Sequence, residues 1–133
     1  MIYYNTKVKD LNKKALNKLI QGCYKFCCHN MGKKKGIGLT LVETSNKTCY
    51  GVYDIEDNSL ILFMDTCKSV GMFTRTFIHE WTHSLQPCDK MYNKLLKKYG
   101  YDNHPFEIEA VENEKKYNRI LLKELREVFG NKK

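Results

Sequence analysis

No stretch of this chain approaches the twenty consecutive apolar residues that a membrane-spanning helix needs. Its first residues, Met1-Ile2-Tyr3-Tyr4-Asn5-Thr6-Lys7, lack a basic segment followed by an apolar run, so no conventional export signal is expected and a cytoplasmic location is. Arginine is scarce too, occurring only at Arg75, Arg119 and Arg126, although the net charge is +8. The positive charge comes instead from scattered lysines, which read phosphate and base edges less well than arginine, so a nucleic-acid partner is not expected. Lys33-Lys34-Lys35, with Gly32 and Gly36 around it, reads as a solvated turn. There is no internal repeat, linker or low-complexity segment, and proline occurs only at Pro87 and Pro105.

What the chain does contain suits one small domain spanning residues 1–133. With 42% hydrophobic residues it can bury about two thirds of its unfolded surface. Six cysteines, Cys23, Cys27, Cys28, Cys49, Cys67 and Cys88, would suggest disulfides in a secreted mini-protein. Without an export signal, reduced and mostly buried thiols are expected. Cys23, Cys27, Cys28 and His29 lack a matching second ligand pair, so helix packing is preferred there over a structural zinc site.

The apolar spacing predicts a helix from Val8 to about His29, with Asp10 as a possible cap. Strand-like segments follow at Ile37–Glu43, Thr48–Asp54 and Ser59–Met64, separated by turns at Thr44–Lys47 and Glu56–Asn58. Because no crossover helices lie between them, an antiparallel meander is expected, covered on its inner face by the first helix. Val70, Phe73, Phe77, Trp81 and Leu85 then take helical spacing up to Pro87. A short helix to Tyr99 and a long one from Pro105 to Phe129, closed by Gly130-Asn131, complete an α+β fold.

Inside the Val70–Leu85 helix lies His79-Glu80-Trp81-Thr82-His83. Two imidazoles at i and i+4 share a face and can hold one metal ion, opposite the apolar stripe because a two-residue step turns the helix by about 200°. Glu80 projects beside that ion, where it could take a proton from a water as general base. Zinc at catalytic sites usually has three protein ligands. A carboxylate from Pro105-Phe106-Glu107-Ile108-Glu109-Ala110 could be the third if the terminal helix packs across the histidines.

His79-Glu80-Trp81-Thr82-His83 with the downstream Glu107-Ile108-Glu109-Ala110 resembles the gluzincin metallopeptidases, and the size and element order are most similar to the minimal, single-domain minigluzincins. The resemblance implies a zincin-like domain and Zn2+ held by His79, His83 and Glu107, with Glu80 as the catalytic base. In that family the glutamate often opens a Glu-x-x-small-Asp/Asn pattern, which Glu107 and Ala110 fit. Glu109 with Asn113 is a competing register; Glu107 is preferred because Ile108 and Val111 would then face the core. Val111 stands where the family often has an acid that buttresses a zinc-bound histidine, so that partner is expected from elsewhere. Tyr99, Tyr101 and His104 are candidate oxyanion donors.

The expected activity is hydrolysis of a peptide or protein substrate by a monomer. The substrate is expected to lie extended along the Leu60–Met64 strand. The alternatives are a catalytically silent, zinc-stabilised binding protein and a basic nucleic-acid-associated protease.

Overall fold

The strongest apolar segment of the chain, Ser59-Leu60-Ile61-Leu62-Phe63, occupies the middle of the sheet. In a computed structural model, which describes residues 5–43, 49–87 and 89–129, the elements are α1 (Lys13–Asn30), β1 (Gly38–Val42), β2 (Gly51–Asp54), β3 (Ser59–Phe63), α2 (Val70–Ser84), α3 (Asp89–Tyr99) and α4 (Pro105–Phe129). This is an α+β arrangement of four α-helices and one three-stranded sheet. None of the described helices is long and apolar enough to cross a membrane.

The sheet differs from the expected meander. Its order is β1-β3-β2, with β3 parallel to β1 and antiparallel to β2, so it is mixed. The strands still alternate in direction along the chain; β3 has taken the central place that a meander assigns to β2. The reason lies in burial, since a central strand is covered on both flanks. Leu60 and Leu62 are fully buried, whereas β2 carries Asp54 and the exposed Val52. No crossover helix is needed because β2 itself returns the chain.

A second difference concerns the cover. The helix packed most closely on the sheet is α2, which meets β2 and β3, while α1 packs behind it against α2 and α4. α2 starts at Ser69, whose side chain accepts from the Met72 amide, and ends before Pro87 as expected. Its face of Val70, Phe73, Phe77 and Trp81 is wholly buried. Phe77 stacks on Trp81 at 5.9 Å, Tyr24 of α1 meets both edge-on, and Trp81 Nε1 donates to the Gly32 carbonyl. The expected cap Asp10 belongs instead to a short 3-10 turn, Val8–Asp10, and Asn12 caps α1 by accepting from the Ala15 amide.

α4 lies against α2, with side-chain hydrogen bonds linking Asn113 to Thr82 and Thr74 to Asn118; its Ala110, Leu121 and Leu125 are buried, Leu125 over Gly22 of α1. Ile108 and Val111, expected in the core, are exposed, since the buried stripe runs through Glu107, Ala110 and Leu121. Cys23 and Cys27 are buried in the α1 packing, and the five described cysteines are free thiols. The Thr44–Lys47 turn, Cys88 and the Gly130-Asn131 stop lie outside the described residues.

Gly51 marks a close approach of β2 to α2 and β3. A Cβ there would meet the Ile61 carbonyl oxygen and Thr76 Cγ2, both at 2.8 Å, and Leu62 Cδ2 at 2.9 Å. Gly51→Ala is therefore expected to destabilise the protein by about 1–3 kcal/mol through overpacking. Urea denaturation measures this, and an unchanged midpoint would contradict the close approach.

Candidate metal centre

Three side chains from two helices converge beside the edge of β2 that no described strand occupies. His79 and His83, one helical turn apart on α2, point away from the Phe77 and Trp81 face and are largely buried. Glu107 enters from the first turn of α4. Its Oε1 lies 3.1 Å from His79 Nε2 and 3.3 Å from His83 Nε2. The three ligand atoms lie within 4.8 Å of one another, and this is the only such group of histidine, cysteine and acidic side chains among the described residues. A tetrahedral ion with arms of about 2.0 Å has ligand-to-ligand edges of about 3.3 Å, so the spacing of this donor set fits a zinc-sized ion.

The expected ligand set is therefore brought together, and Glu109 is not part of it. Glu109 is exposed and accepts from Gln86 Nε2 at 2.8 Å. The same Gln86 Nε2 donates to the Phe106 carbonyl, which leaves Gln86 Oε1 to accept from His83 Nδ1 at 2.7 Å. The partner of His79 is Glu114, whose Oε2 accepts from His79 Nδ1 at 2.5 Å while its Oε1 faces Arg75 Nε at 3.6 Å. Position 111 cannot supply a buttressing acid, because that side of α4 faces solvent. Glu114 can, because it follows Glu107 by seven residues, two helical turns along one face.

Both nitrogens of His79 thus point at carboxylates, and its pKa is raised to about 10. Burial alone would lower it; the hydrogen bonds to Glu107 and Glu114 and the nearby Glu80 outweigh burial. His83 is raised as well, against its own burial, by Glu107, Glu80 and Gln86. Glu107 moves the other way: burial opposes ionisation, but hydrogen bonds from His79, His83 and Tyr92 hold it well below the ordinary carboxylate range. Glu80 is raised, first by burial, with His79 and His83 pulling against that. Among the described residues no side chain hydrogen-bonds its carboxyl.

Glu80 and His79 border both lobes of an open cleft. One lobe, of about 400 Å³, is walled by apolar and aromatic side chains, notably Val52, Ile55, Pro87, Tyr92 and Phe106. The other, of about 290 Å³, is more polar and ends at Arg75 and Glu114. Of the three oxyanion candidates only Tyr101 reaches the cleft, with its hydroxyl 3.4 Å from Glu107 Oε1. Tyr99 lies on an exposed part of α3. His104 is fully buried and structural: its Nδ1 accepts from the Phe106 amide, capping α4, and its Nε2 donates to the Tyr92 carbonyl.

Three participants escaped the sequence reading: Glu114, Gln86 and Tyr92. The seven-residue spacing could have indicated Glu114, and the i, i+3 step from His83 could have indicated Gln86. Tyr92 has no local signal, since its contact with Glu107 depends on how α3 folds back. Comparison with protein-family models, with curated proteins and with solved structures finds no match to this chain.

Proposed function

We propose that this chain is a zinc metallopeptidase of the gluzincin kind, with a zincin-like domain in which His79, His83 and Glu107 hold the ion. The observation that carries the reading is the pairing of a zinc-sized two-nitrogen, one-oxygen donor set with Glu80, the residue after His79 on the same helix, which lines the cleft and whose carboxyl no described side chain hydrogen-bonds. Nitrogen with carboxylate donors suits zinc. When bound, zinc supplies a Lewis acid that polarises a carbonyl and acidifies water. Glu80 takes the proton from the attacking water and passes it to the leaving amine, and its raised pKa suits it to both transfers. Tyr101 offers a hydroxyl at the cleft.

The substrate edge must be reassigned. Both flanks of β3 are occupied, so it cannot take an added strand. Among the described residues β2 has one flank with no strand beside it, and Gly51, Val52 and Tyr53 border the cleft, so an extended peptide is proposed to add along β2. The apolar lobe then favours a large apolar side chain on one side of the scissile bond.

The test is elemental analysis of the purified protein together with cleavage of a mixed peptide library. About one zinc per chain with metal-dependent cleavage is expected. Zinc without cleavage would sink the enzyme reading and leave a silent, zinc-stabilised binding protein. A further expectation concerns Glu114, which orients His79 and favours its ligating tautomer. Glu114→Gln should weaken zinc affinity by about 10–100-fold. Competition with a chromogenic chelator checks it, and wild-type affinity would show that Glu114 serves Arg75 alone.

A further inference from the structure

Tyr92 is the one residue through which α3 is hydrogen-bonded to other elements, among the described residues. Its backbone carbonyl accepts from His104 Nε2 at 2.8 Å, and the same His104 caps α4 two residues before Phe106. Its ring lies against His104, with centroids 4.0 Å apart, and meets His83 edge-on at 6.1 Å. The tyrosine is thus clamped between the start of α4 and the second histidine of the site.

Its hydroxyl has a single hydrogen-bond partner there, Glu107 Oε2, at 2.5 Å. The two oxygens of Glu107 are divided by this contact. Oε1 faces both histidines, and Oε2 is held by Tyr92. A carboxylate on a metal can bind through one oxygen or through both, and a donor fixed on the second oxygen opposes the two-oxygen form. A tyrosine hydroxyl is protonated at neutral pH, so Tyr92 can donate to Oε2. Tyr101 does not duplicate this: its hydroxyl approaches Oε1 at 3.4 Å, and its ring is well exposed.

We propose that Tyr92 is a positioning residue that keeps Glu107 a single-oxygen ligand, so that the ion held by His79, His83 and Glu107 retains an open position for water and substrate. Because α3 meets the site through this side chain, the seating of α3 sets the coordination state of the ion. The proposal rests on the metal reading above, and the experiment separates the two.

Cobalt(II) replaces zinc as a spectroscopic probe, since its visible absorption is intense when four-coordinate and weaker when five-coordinate. Wild type, Tyr92→Phe and Tyr101→Phe are titrated with cobalt(II), and each loaded protein is then challenged with a chelator. The melting of each metal-free protein is recorded as a check on folding. Wild type and Tyr101→Phe are expected to give the four-coordinate spectrum. Tyr92→Phe, which keeps the ring and loses only the hydroxyl, is expected to give the five-coordinate spectrum, with metal affinity changed by about 10-fold or more. A Tyr92→Phe protein with wild-type spectrum and wild-type affinity overturns the proposal, as does a Tyr101→Phe protein with the same altered spectrum. A wild type that binds no cobalt overturns the metal reading, and this proposal with it.

Discussion

Glu80→Gln should lower peptide hydrolysis by about 10²–10⁴-fold while leaving metal content near that of wild type. Glutamine matches the shape of glutamate and cannot accept the proton, so the loss isolates the transfer from the ligand set. The effect on stability has the opposite sign. The Glu80 carboxyl is buried with its pKa raised above the free value, which means the fold disfavours its ionised form. A group of that kind costs the folded state stability at pH values above its unfolded pKa. Metal-free Glu80→Gln should therefore melt no earlier than wild type at neutral pH, and somewhat later if the full cost is relieved. A loss of activity accompanied by early melting would point to damaged packing; a fully active variant would remove Glu80 from the chemistry.

The elements of the fold were legible because periodicity is local, but their arrangement was not. Phe77 and Trp81, or Leu121 and Leu125, announce a buried helical stripe within a few residues. Alternation likewise announces three strands but carries no address for each strand's neighbour. The signal for order lay in a different property, the unbroken apolar run Leu60-Ile61-Leu62-Phe63, which marks a strand covered on both flanks. Val52 and Asp54 in β2 speak for an edge by the same rule. The absence of crossover helices does not exclude a parallel pair, because a β-strand can itself be the return path, as β2 is between β1 and β3. With β3 in the centre, the proposed substrate edge is β2 and not β3.

The candidate metal centre divides in the same way. His79, Glu80 and His83 are five consecutive residues' worth of information, and a helix needs nothing further to align them. Glu107 was reachable from the opening of α4, yet the choice against Glu109 rested on Ile108 and Val111 facing inward, and both face solvent. Glu107 is selected instead by the stripe through Ala110 and Glu114 that lies against α2. Tyr92 enters because the chain turns back after Pro87 and brings α3 over the histidines, a tertiary event with no period in the sequence.

Proton release is the second large effect expected of this site. In the metal-free protein both nitrogens of His79 donate to carboxylates, and the ring stays protonated up to about pH 10. His83 is also raised above its ordinary value. A metal takes the Nε2 lone pair of a neutral imidazole, so each histidine must give up a proton on binding. Glu107, held far below the carboxylate range, gives up none. Below about pH 6.5, the ordinary value that both rings exceed, both are mostly charged, and apparent zinc affinity should rise by up to about 100-fold per pH unit, one factor of ten for each proton. Calorimetry in buffers of different ionisation enthalpy should count close to two protons released there, and a count near zero would refute the hydrogen-bonded metal-free state. Stability follows with a definite sign. A histidine raised from 6.5 to about 10 stabilises the metal-free fold fully below about pH 6.5, and that contribution disappears as the pH rises through 10. Chelator-treated wild type should accordingly melt at progressively lower temperature from pH 7 to pH 10, and His79→Gln should lack that part of the slope. Zinc-loaded protein should resist the same rise in pH, because binding to the folded state alone adds stability that grows as affinity does. The gap between the two melting temperatures therefore widens with pH, which an incidental cluster of hydrogen-bonded histidines with no affinity for metal would not produce.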